Sequence, residues 1–419
     1  ALDFSPAAID KAITVAASDP NDARAWFSNW GEKVDVTAPG VDILSLKAVT
    51  SPMCTADKTV GANYCRVSGT SMATPHVAGL AALILAKNPT LSNEEVRQII
   101  RRGAIDLGSP GKDKDFGYGR IDNANSLNLA SSHLLAPIIT SPSSRSTISG
   151  TILPITGRIP GPSFSNYQVA LRKSRTADPW QTVITSFSQV INGALGSINT
   201  TQLEEAKYDF LLTAIDTFGR QFQFQVFDIQ VDNFDATITF PQSLIRLGSV
   251  DINGTATTKN SLPFSNYVLE WGTGINPGSW STAGITRTNN GNAPVVNGKL
   301  GTWNTSGLID GQNYTLRLTV YSATGSFYRA SVIVKVDKDL INGWPKLLSN
   351  CDCMAAPTIA DLDGDGYGEI VVAGPENVIN VFRKNGTQLP GFPFINTDST
   401  YKTFNNQVNV FDLDGDGKK

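Results

Sequence analysis

The sequence predicts a multidomain chain in which an α/β segment is followed by two similar all-β modules and an acidic, glycine-rich segment. Apolar, strand-like runs alternate with helical patterns up to about residue 130, as in units built on a parallel sheet. A sequence pattern occurs twice within residues 137–337, and the string DLDGDG occurs twice after residue 338. The length of 419 residues agrees with this division, because it favours about three domains.

The composition argues against two classes of protein. The net charge is −3 and residues of both signs are interspersed, which argues against a nucleic-acid partner. The longest apolar run, residues 77–86, has about half the length needed to span a bilayer, so no transmembrane segment is expected. The hydrophobic content of 41% is sufficient for packed cores.

The α/β segment, residues 1–130, opens with short apolar runs and continues with two helices. The runs that predict strands are AITVAA, VDVTAPG and VDILSL. One helix is predicted over residues 71–87 and a second begins at Ser92. Ser92 and Glu95 form the S-x-x-E pattern of a capping box, which marks a helix N-terminus.

The stretch SGTSMATPHVAG, residues 68–79, runs directly into the apolar LAALILAK. Thr70 is predicted to cap the helix that starts there. Ser71 then lies at a helix N-terminus, where free backbone N–H groups and the helix dipole favour a developing oxyanion. Gly-Thr-Ser alone is a weak signal, because such tripeptides begin many ordinary helices.

The unbroken string GTSMATPHVAG resembles the nucleophile motif of the subtilisin-like serine proteases (subtilases, peptidase S8 family). FSNWG, TAPG and FGYGRIDNA also fall where similar segments fall in subtilases. The resemblance implies that residues 1–130 are the C-terminal part of a peptidase domain. It implies that Ser71 is the nucleophile, that the Ser71 backbone N–H belongs to the oxyanion hole, and that the substrates are proteins or peptides. It also implies a secreted or cell-surface location.

The rest of the catalytic machinery is expected before Ala1. The family order is Asp, His, Ser, and no His precedes Ser71. On a helix His76 points about 140° away from Ser71, so a buried structural role is predicted for it. His133 is predicted to be a solvated linker residue. The chain is therefore expected to be a fragment that lacks the catalytic Asp and His and the oxyanion Asn, and to be inactive alone. The alternative is a non-catalytic cell-surface adhesion protein with a degenerate protease domain.

The four cysteines fall into two pairs. Cys54 and Cys65 flank a polar loop, and in a secreted protein a disulfide between them is predicted. Cys351 and Cys353 are too close in sequence for an unstrained bridge, so their state stays open.

The Ser/Pro-rich stretch SSHLLAPIITSPSSRSTISG marks a linker, residues 131–136, and the start of a new domain. Two modules follow, at residues 137–233 and 234–337. FSNY begins a matching segment at Phe164 and again at Phe264, and NGALGSINTT recurs as NGKLGTWNTS. Alternation with period two predicts two immunoglobulin-like or fibronectin-type β-sandwiches. Such modules either bind a cell-surface or matrix ligand or act as spacers, and spacing is the favoured interpretation.

The C-terminal segment, residues 338–419, carries a predicted cation site. Oxygen atoms at alternate positions suit a hard cation, most plausibly Ca²⁺. The loop is not an EF-hand, because Val372 occupies the twelfth position and a strand follows. It resembles the FG-GAP (VCBS-type) repeat of calcium-binding β-propellers, which implies the start of a propeller with further blades beyond Lys419. The predicted ligands are Asp361, Asp363, Asp365, the Tyr367 carbonyl and Glu369, with Asp412, Asp414 and Asp416 in a second loop. No cofactor is expected for catalysis.

Overall fold

The computed structural model describes residues 5–48, 52–341, 343–346, 348, 356–374, 378–395, 397 and 408–412. The chain divides into two compact units. The first consists of residues 1–233 with 259–261, and the second of residues 234–258 with 262–419.

The α/β segment of the first unit is built around a two-stranded parallel sheet. Strands β1 (Val15–Ser18) and β2 (Val36–Pro39) pair in parallel. Three short strands form a separate antiparallel sheet, namely β3 (Ile43–Leu46), β4 (Thr59–Val60) and β5 (Tyr64–Val67). The helices are α1 (Thr70–Lys87), α2 (Asn93–Gly103) and α3 (Asn123–Leu129).

Helix α1 packs on β1 and β2 through one apolar face. Its buried residues are Ala73, Val77, Leu80 and Ile84. The predicted helix over residues 71–87 is confirmed, but it begins at Thr70. Gly69 therefore takes the N-cap position, and no side chain caps the helix, so the predicted capping role of Thr70 is wrong.

The predicted capping box of α2 is confirmed. The Ser92 hydroxyl accepts a hydrogen bond from Glu95 N, and a Glu95 carboxylate oxygen accepts one from Ser92 N at 2.7 Å. The apolar residues Ile99 and Ile100 are fully buried in the same core as the α1 face. Arg101, on the polar side of α2, is buried as well.

The module that follows α3 has two facing sheets. One contains β10 (Gln181–Ser186), β9 (Phe164–Lys173), β12 (Lys207–Asp216), β13 (Gln221–Val231) and β7 (Thr147–Ile148), in that order. The other contains β11 (Gly193–Asn199), β8 (Ile152–Arg158) and β6 (Ile138–Ser141). All neighbours are antiparallel except β7 and β13. Its interior residues belong to the same buried cluster as the α/β segment.

The predicted linker, residues 131–136, is not an exposed tether. Leu134, Leu135 and Ala136 are buried, and Ala136 N donates to Pro160 O at 3.0 Å. Apolar side chains at these positions close the junction between the α/β segment and the first module.

The second unit begins with a module of the same kind. One sheet contains β14 (Phe234–Phe240), β16 (Ser249–Thr258), β19 (Val295–Asn304) and β18 (Ile285–Arg287), in that order. The other contains β15 (Leu244–Ile245), β21 (Phe327–Val336), β20 (Asn313–Ser322) and β17 (Phe264–Thr273). Both sheets contribute to one buried cluster.

The sequence repeat corresponds to a structural repeat with one difference. The buried Tyr167 hydroxyl donates to Leu195 O at 2.7 Å, and Tyr267 donates to Leu300 O at 2.6 Å. The short strand after the FSNY strand differs, however. β10 pairs with β9 in the first module, whereas β18 pairs with β19 in the second, so this strand changes sheet between the copies.

The C-terminal segment forms a four-stranded antiparallel sheet. Its strands, in order, are β22 (Thr358–Ala360), β23 (Glu369–Gly374), β24 (Val378–Phe382) and β25 (Phe394–Ile395). The predicted strand after the acidic loop is thereby confirmed. Cys351, Cys353, Asp414 and Asp416 lie outside the described residues. No helix within the described ranges is both long and apolar enough to cross a membrane.

A buried ion pair joins α2 to Asp35, the residue just before β2. Arg101 Nε donates to Asp35 Oδ1 at 2.9 Å, and Lys33 Nζ lies 3.6 Å from Asp35 Oδ2. Burial alone would raise the pKa of Asp35, but Arg101 and Lys33 outweigh it and hold that pKa below its usual range. Asp35 is therefore a charged structural residue.

Asp35→Asn should destabilise the first unit by about 3–5 kcal/mol, because it leaves the buried Arg101 charge without its partner. Urea unfolding of the whole chain, followed by hydrogen exchange in peptides from α2, measures the change. The matched control is Asp42→Asn, which breaks the exposed 2.9 Å pair with Arg66 and should cost no more than about 1 kcal/mol. If the two variants lost the same free energy of unfolding, the buried pair would have no special structural role.

The stability of the first unit should rise from pH 8 to pH 9.5. Burial, reinforced by Arg101, lowers the pKa of Lys112 to about 8 from its ordinary 10.5. Between about pH 8 and pH 10.5, Lys112 is therefore more fully protonated in the unfolded chain than in the folded one. Raising the pH through this range favours the folded state. Lys112→Met should flatten the rise in urea midpoint, whereas Lys114→Met, at an exposed neighbour, should retain it. A rise of the same size in both variants would exclude Lys112 as its source.

Candidate active-site turn and acidic loop

The Ser71 turn is held by the end of strand β2. Gly69 N donates to Gly40 O at 2.8 Å, so the residue before α1 is fixed to the residue after β2. Gly40 has to be glycine, because a Cβ there would lie 2.5 Å from Ala17 Cβ and 3.0 Å from Gly69 O. Ser71 follows as the second residue of α1 and its side chain is exposed.

The Ser71 backbone N–H lies in the first turn of α1, where amides have no carbonyl of the preceding turn to bind. Met72 N and Ala73 N donate to Gly69 O, so the exposed Ser71 hydroxyl and the Ser71 N–H share this helix end, at the positive pole of the dipole. This arrangement can present a nucleophile and part of an oxyanion hole, as the sequence predicts. Proton transfer from Ser71 also requires a base within hydrogen-bond reach.

His76 does not provide that base. Its Nδ1 lies 2.9 Å from Met72 O, one turn earlier on the same helix. The predicted buried role is wrong, because His76 lies beside the buried face of α1 and is exposed. Helical spacing excludes a bond to Ser71 but does not show which face is covered.

His133 is likewise engaged elsewhere. Its Nδ1 lies 2.6 Å from Glu95 Oε1, and its Nε2 lies 3.4 Å from Thr90 Oγ1. The ring is about half exposed, so the prediction of a solvated linker residue missed its pairing with the capping box. Burial alone would raise the pKa of Glu95, but hydrogen bonds from Ser92 and His133 lower it.

The outward face of α1 is apolar and uncovered within the described part of the chain. Leu83 is 49% exposed, and Trp26, in the loop after β1, is 91% exposed. A helix that is apolar on most sides is typical of the interior of a larger domain. The sequence predicts such burial in a complete peptidase domain.

The structure joins Cys54 and Cys65 by a disulfide, with 5.7 Å between their Cα atoms. The bridge closes the loop that leads into β5, and β5 ends at Val67, just before Ser68 and the Ser71 turn. The Ser68 hydroxyl in turn accepts a hydrogen bond from Asp42 N at 2.9 Å. The disulfide therefore restricts the backbone of the segment that leads into the Ser71 turn.

The acidic loop between β22 and β23 brings together three of the predicted ligands. Oxygen atoms of Asp361, Asp363 and Glu369 lie within 4.8 Å of one another. Glu369 is only 1% exposed, and one of its oxygens accepts a hydrogen bond from Leu362 N at 2.8 Å. Gly366 has φ 85°, so the predicted sharp turn at this glycine is present.

Another predicted ligand of this loop is placed differently. Asp365 Oδ1 accepts a hydrogen bond from Tyr367 N at 2.8 Å, and Asp365 is not part of the three-carboxylate cluster. Asp412 does not belong to that cluster either. Arg383, just after β24, donates to Asp363 Oδ2 at 2.7 Å from 20 residues away, a contact that the sequence did not predict. A lone arginine after a strand gives no local signal of such a pairing.

Comparison with known proteins gives two family matches. Residues 4–119 match the Subtilase family, Peptidase S8, and residues 361–419 match the FG-GAP-like repeat. A thermophilic serine proteinase of Bacillus sp. (strain AK1) is 44% identical over 124 residues, covering 30% of this chain and 27% of that protein. Subtilisin Savinase of Lederbergia lenta is 44% identical over 104 residues, covering 25% of this chain and 34% of that protein.

The chain spans about a third or less of the length of these curated relatives. Among solved structures, MycP1 from Mycobacterium smegmatis is 30% identical with a TM-score of 0.25, covering 29% of this chain and 31% of that one. Fervidolysin from Fervidobacterium pennivorans is 18% identical with a TM-score of 0.31, covering 79% and 50%. Since both TM-scores are below 0.5, the family assignment depends on the sequence matches. Residues 4–119 of this chain are therefore similar in sequence to the Subtilase family, Peptidase S8, and residues 361–419 to the FG-GAP-like repeat.

Proposed function

We propose that this chain supplies the nucleophile of a secreted, subtilisin-like serine endopeptidase. One observation carries the proposal. Within the stretch that matches the Subtilase family, Ser71 is exposed in the first turn of a helix, inside an intact GTSMATPHVAG string. Relatives named as serine proteases are 44% identical over this region.

In the proposed reaction, Ser71 Oγ attacks the scissile peptide carbonyl while a histidine takes its proton. The Ser71 backbone N–H and an asparagine amide stabilise the tetrahedral oxyanion. The same histidine then protonates the leaving amine, and water hydrolyses the acyl-enzyme. We place the histidine, its aspartate and the asparagine in sequence that precedes Ala1 in a longer protein. The family order Asp, His, Ser supports this, as does the engagement of His76 and His133 away from Ser71.

Residues 1–419 alone should not react at Ser71 with a fluorophosphonate probe, because losing the histidine costs on the order of 10⁶ in turnover in subtilisin. The protein extended through its preceding coding sequence should be labelled stoichiometrically, as measured by intact mass. Ser71→Ala should abolish the labelling, and Thr74→Ala, three residues further along α1, should retain it.

Two results would overturn the proposal. Stoichiometric labelling of residues 1–419 alone would place a base among residues already present. An extended reading frame in which the histidine position is replaced, together with absent labelling, would favour the non-catalytic adhesion protein instead.

We also propose that the acidic loop binds Ca²⁺. Three carboxylates with oxygens within 4.8 Å of one another repel without a cation, and carboxylate oxygens suit a hard ion. Asp361, Asp363 and Glu369 would hold the ion, which would neutralise their charge. Asp365, the Tyr367 carbonyl and the second loop at Asp412 remain candidate ligands.

Calcium should slow hydrogen exchange in the C-terminal sheet, because an ion that binds only the folded state stabilises it. The measurement compares the exchange of residues 358–382 in the whole chain, in calcium and in EDTA. Asp361→Asn should remove the difference. Asp310→Asn, which breaks an exposed 3.5 Å pair with Lys338, should retain it. Equal exchange in calcium and EDTA for the unaltered chain would exclude the site.

The proposed location is extracellular, since disulfides such as Cys54–Cys65 persist in oxidising compartments. We interpret the two modules as immunoglobulin-like. Support comes from their facing sheets and from the short parallel pairs β7–β13 and β15–β21. A cell-surface or matrix ligand for these modules or for the FG-GAP-like repeat is part of the same proposal.

A further inference from the structure

The first module binds the α/β segment through a defined polar contact. On β13, the Gln223 carbonyl accepts hydrogen bonds from Arg101 Nη1 at 2.6 Å and from Gln98 Nε2 at 3.0 Å, both on α2. The Gln223 side chain accepts a third, from the Tyr118 hydroxyl at 2.8 Å. Arg172 on β9 adds an ion pair to Glu32 at 3.1 Å. The polar face of α2 is therefore covered by a neighbouring module and not by water.

The same contact is connected to the Ser71 turn. Arg101 also binds Asp35, whose Oδ2 accepts a hydrogen bond from Thr14 N at 2.7 Å. Asp35 immediately precedes β2, and Gly40, just after β2, accepts the hydrogen bond from Gly69 N. One guanidinium thus links the first module to the strand whose far end fixes the nucleophile turn.

The second module preserves the core of the repeat but not this contact surface. Aligned on the FSNY strands and on the paired strands that follow, Arg172 corresponds to Gly272 and Asp209 to Thr315. Gln223 and Gln225 correspond to Arg329 and Ser331, which are exposed. The two copies keep the same buried tyrosine hydrogen bond but differ at the positions that contact α2 in the first module.

We propose that the first module is a positioning element of the peptidase domain, and that Arg101 is a positioning residue for Ser71. This inference rests on the proposed function. Without the module, donors on Arg101 and Gln98 would lose their acceptor at Gln223, and α2 could shift against Asp35 and β2. A displacement of about 1 Å at a nucleophile is enough to slow reaction by about 10²-fold. The first module is therefore not a spacer, whereas the second lacks these contacts.

The test uses the protein extended through its preceding coding sequence and measures fluorophosphonate labelling of Ser71 at several probe concentrations. Arg101→Met should lower the maximal labelling rate at least about 10-fold, with little change in the half-saturating concentration. Arg101→Lys, which keeps a donor and a charge for Asp35, should recover part of that rate. Measurements are made at a temperature where hydrogen exchange shows each variant folded, so that global unfolding does not contribute.

A matched pair of variants tests the module itself. Arg172 stacks on Trp180 at 4.3 Å and Arg317 stacks on Trp280 at 3.7 Å, but only Arg172 also pairs with the α/β segment. Arg172→Met should lower the maximal labelling rate about threefold, and Arg317→Met should leave it unchanged. Equal rates for Arg101→Met and the unaltered protein would overturn the inference, as would equal slowing by Arg172→Met and Arg317→Met. Absent labelling of the unaltered protein would instead overturn the proposed function.

Discussion

The buried pair of Asp35 and Arg101 is the interaction on which the first unit depends. It joins three segments that are distant in sequence, since Asp35 precedes β2, Arg101 lies on α2 and the remaining Arg101 donor reaches Gln223 on β13. Removing one partner of such a buried pair leaves an uncompensated charge, which is costly for stability. The observed placement of α2 satisfies both the carboxylate and the carbonyl, and the same carboxylate immediately precedes β2, whose far end binds the turn before Ser71.

Features that depend on a few neighbouring residues could be predicted from the sequence. Ser92 and Glu95 indicate the start of α2, because a capping box needs only two residues three apart. Alternation with period two indicates the strands of both modules, and the recurring FSNY indicates that they are copies. Gly366 indicates the turn of the acidic loop, since its φ of 85° suits glycine. Ser71 is found in the same way, because its motif is continuous in sequence.

Features that depend on distant partners could not be predicted. The pattern of α2 shows which residues need burial but not what covers Arg101, so its polar face would be expected in water. Leu134 and Leu135 stand in a Ser-rich stretch typical of a linker, yet an apolar junction buries them. Arg383, just after β24, donates to Asp363 in the loop between β22 and β23. In each case the deciding contact is set by tertiary packing, and sequence periodicity carries no information about it.

The short strand that changes sheet gives the two modules different boundaries. β10 extends the sheet of β9 in one copy, while β18 extends the sheet of β19 in the other and β17 ends its own sheet. Tandem domains of similar sequence are prone to exchange strands during folding, because each can complete its neighbour. Here the short strand of one module would not find the same pairing partner in the other, because β10 pairs with β9 and β18 pairs with β19. The two modules therefore share a core pattern, but a strand of one cannot readily replace the equivalent strand of the other during folding.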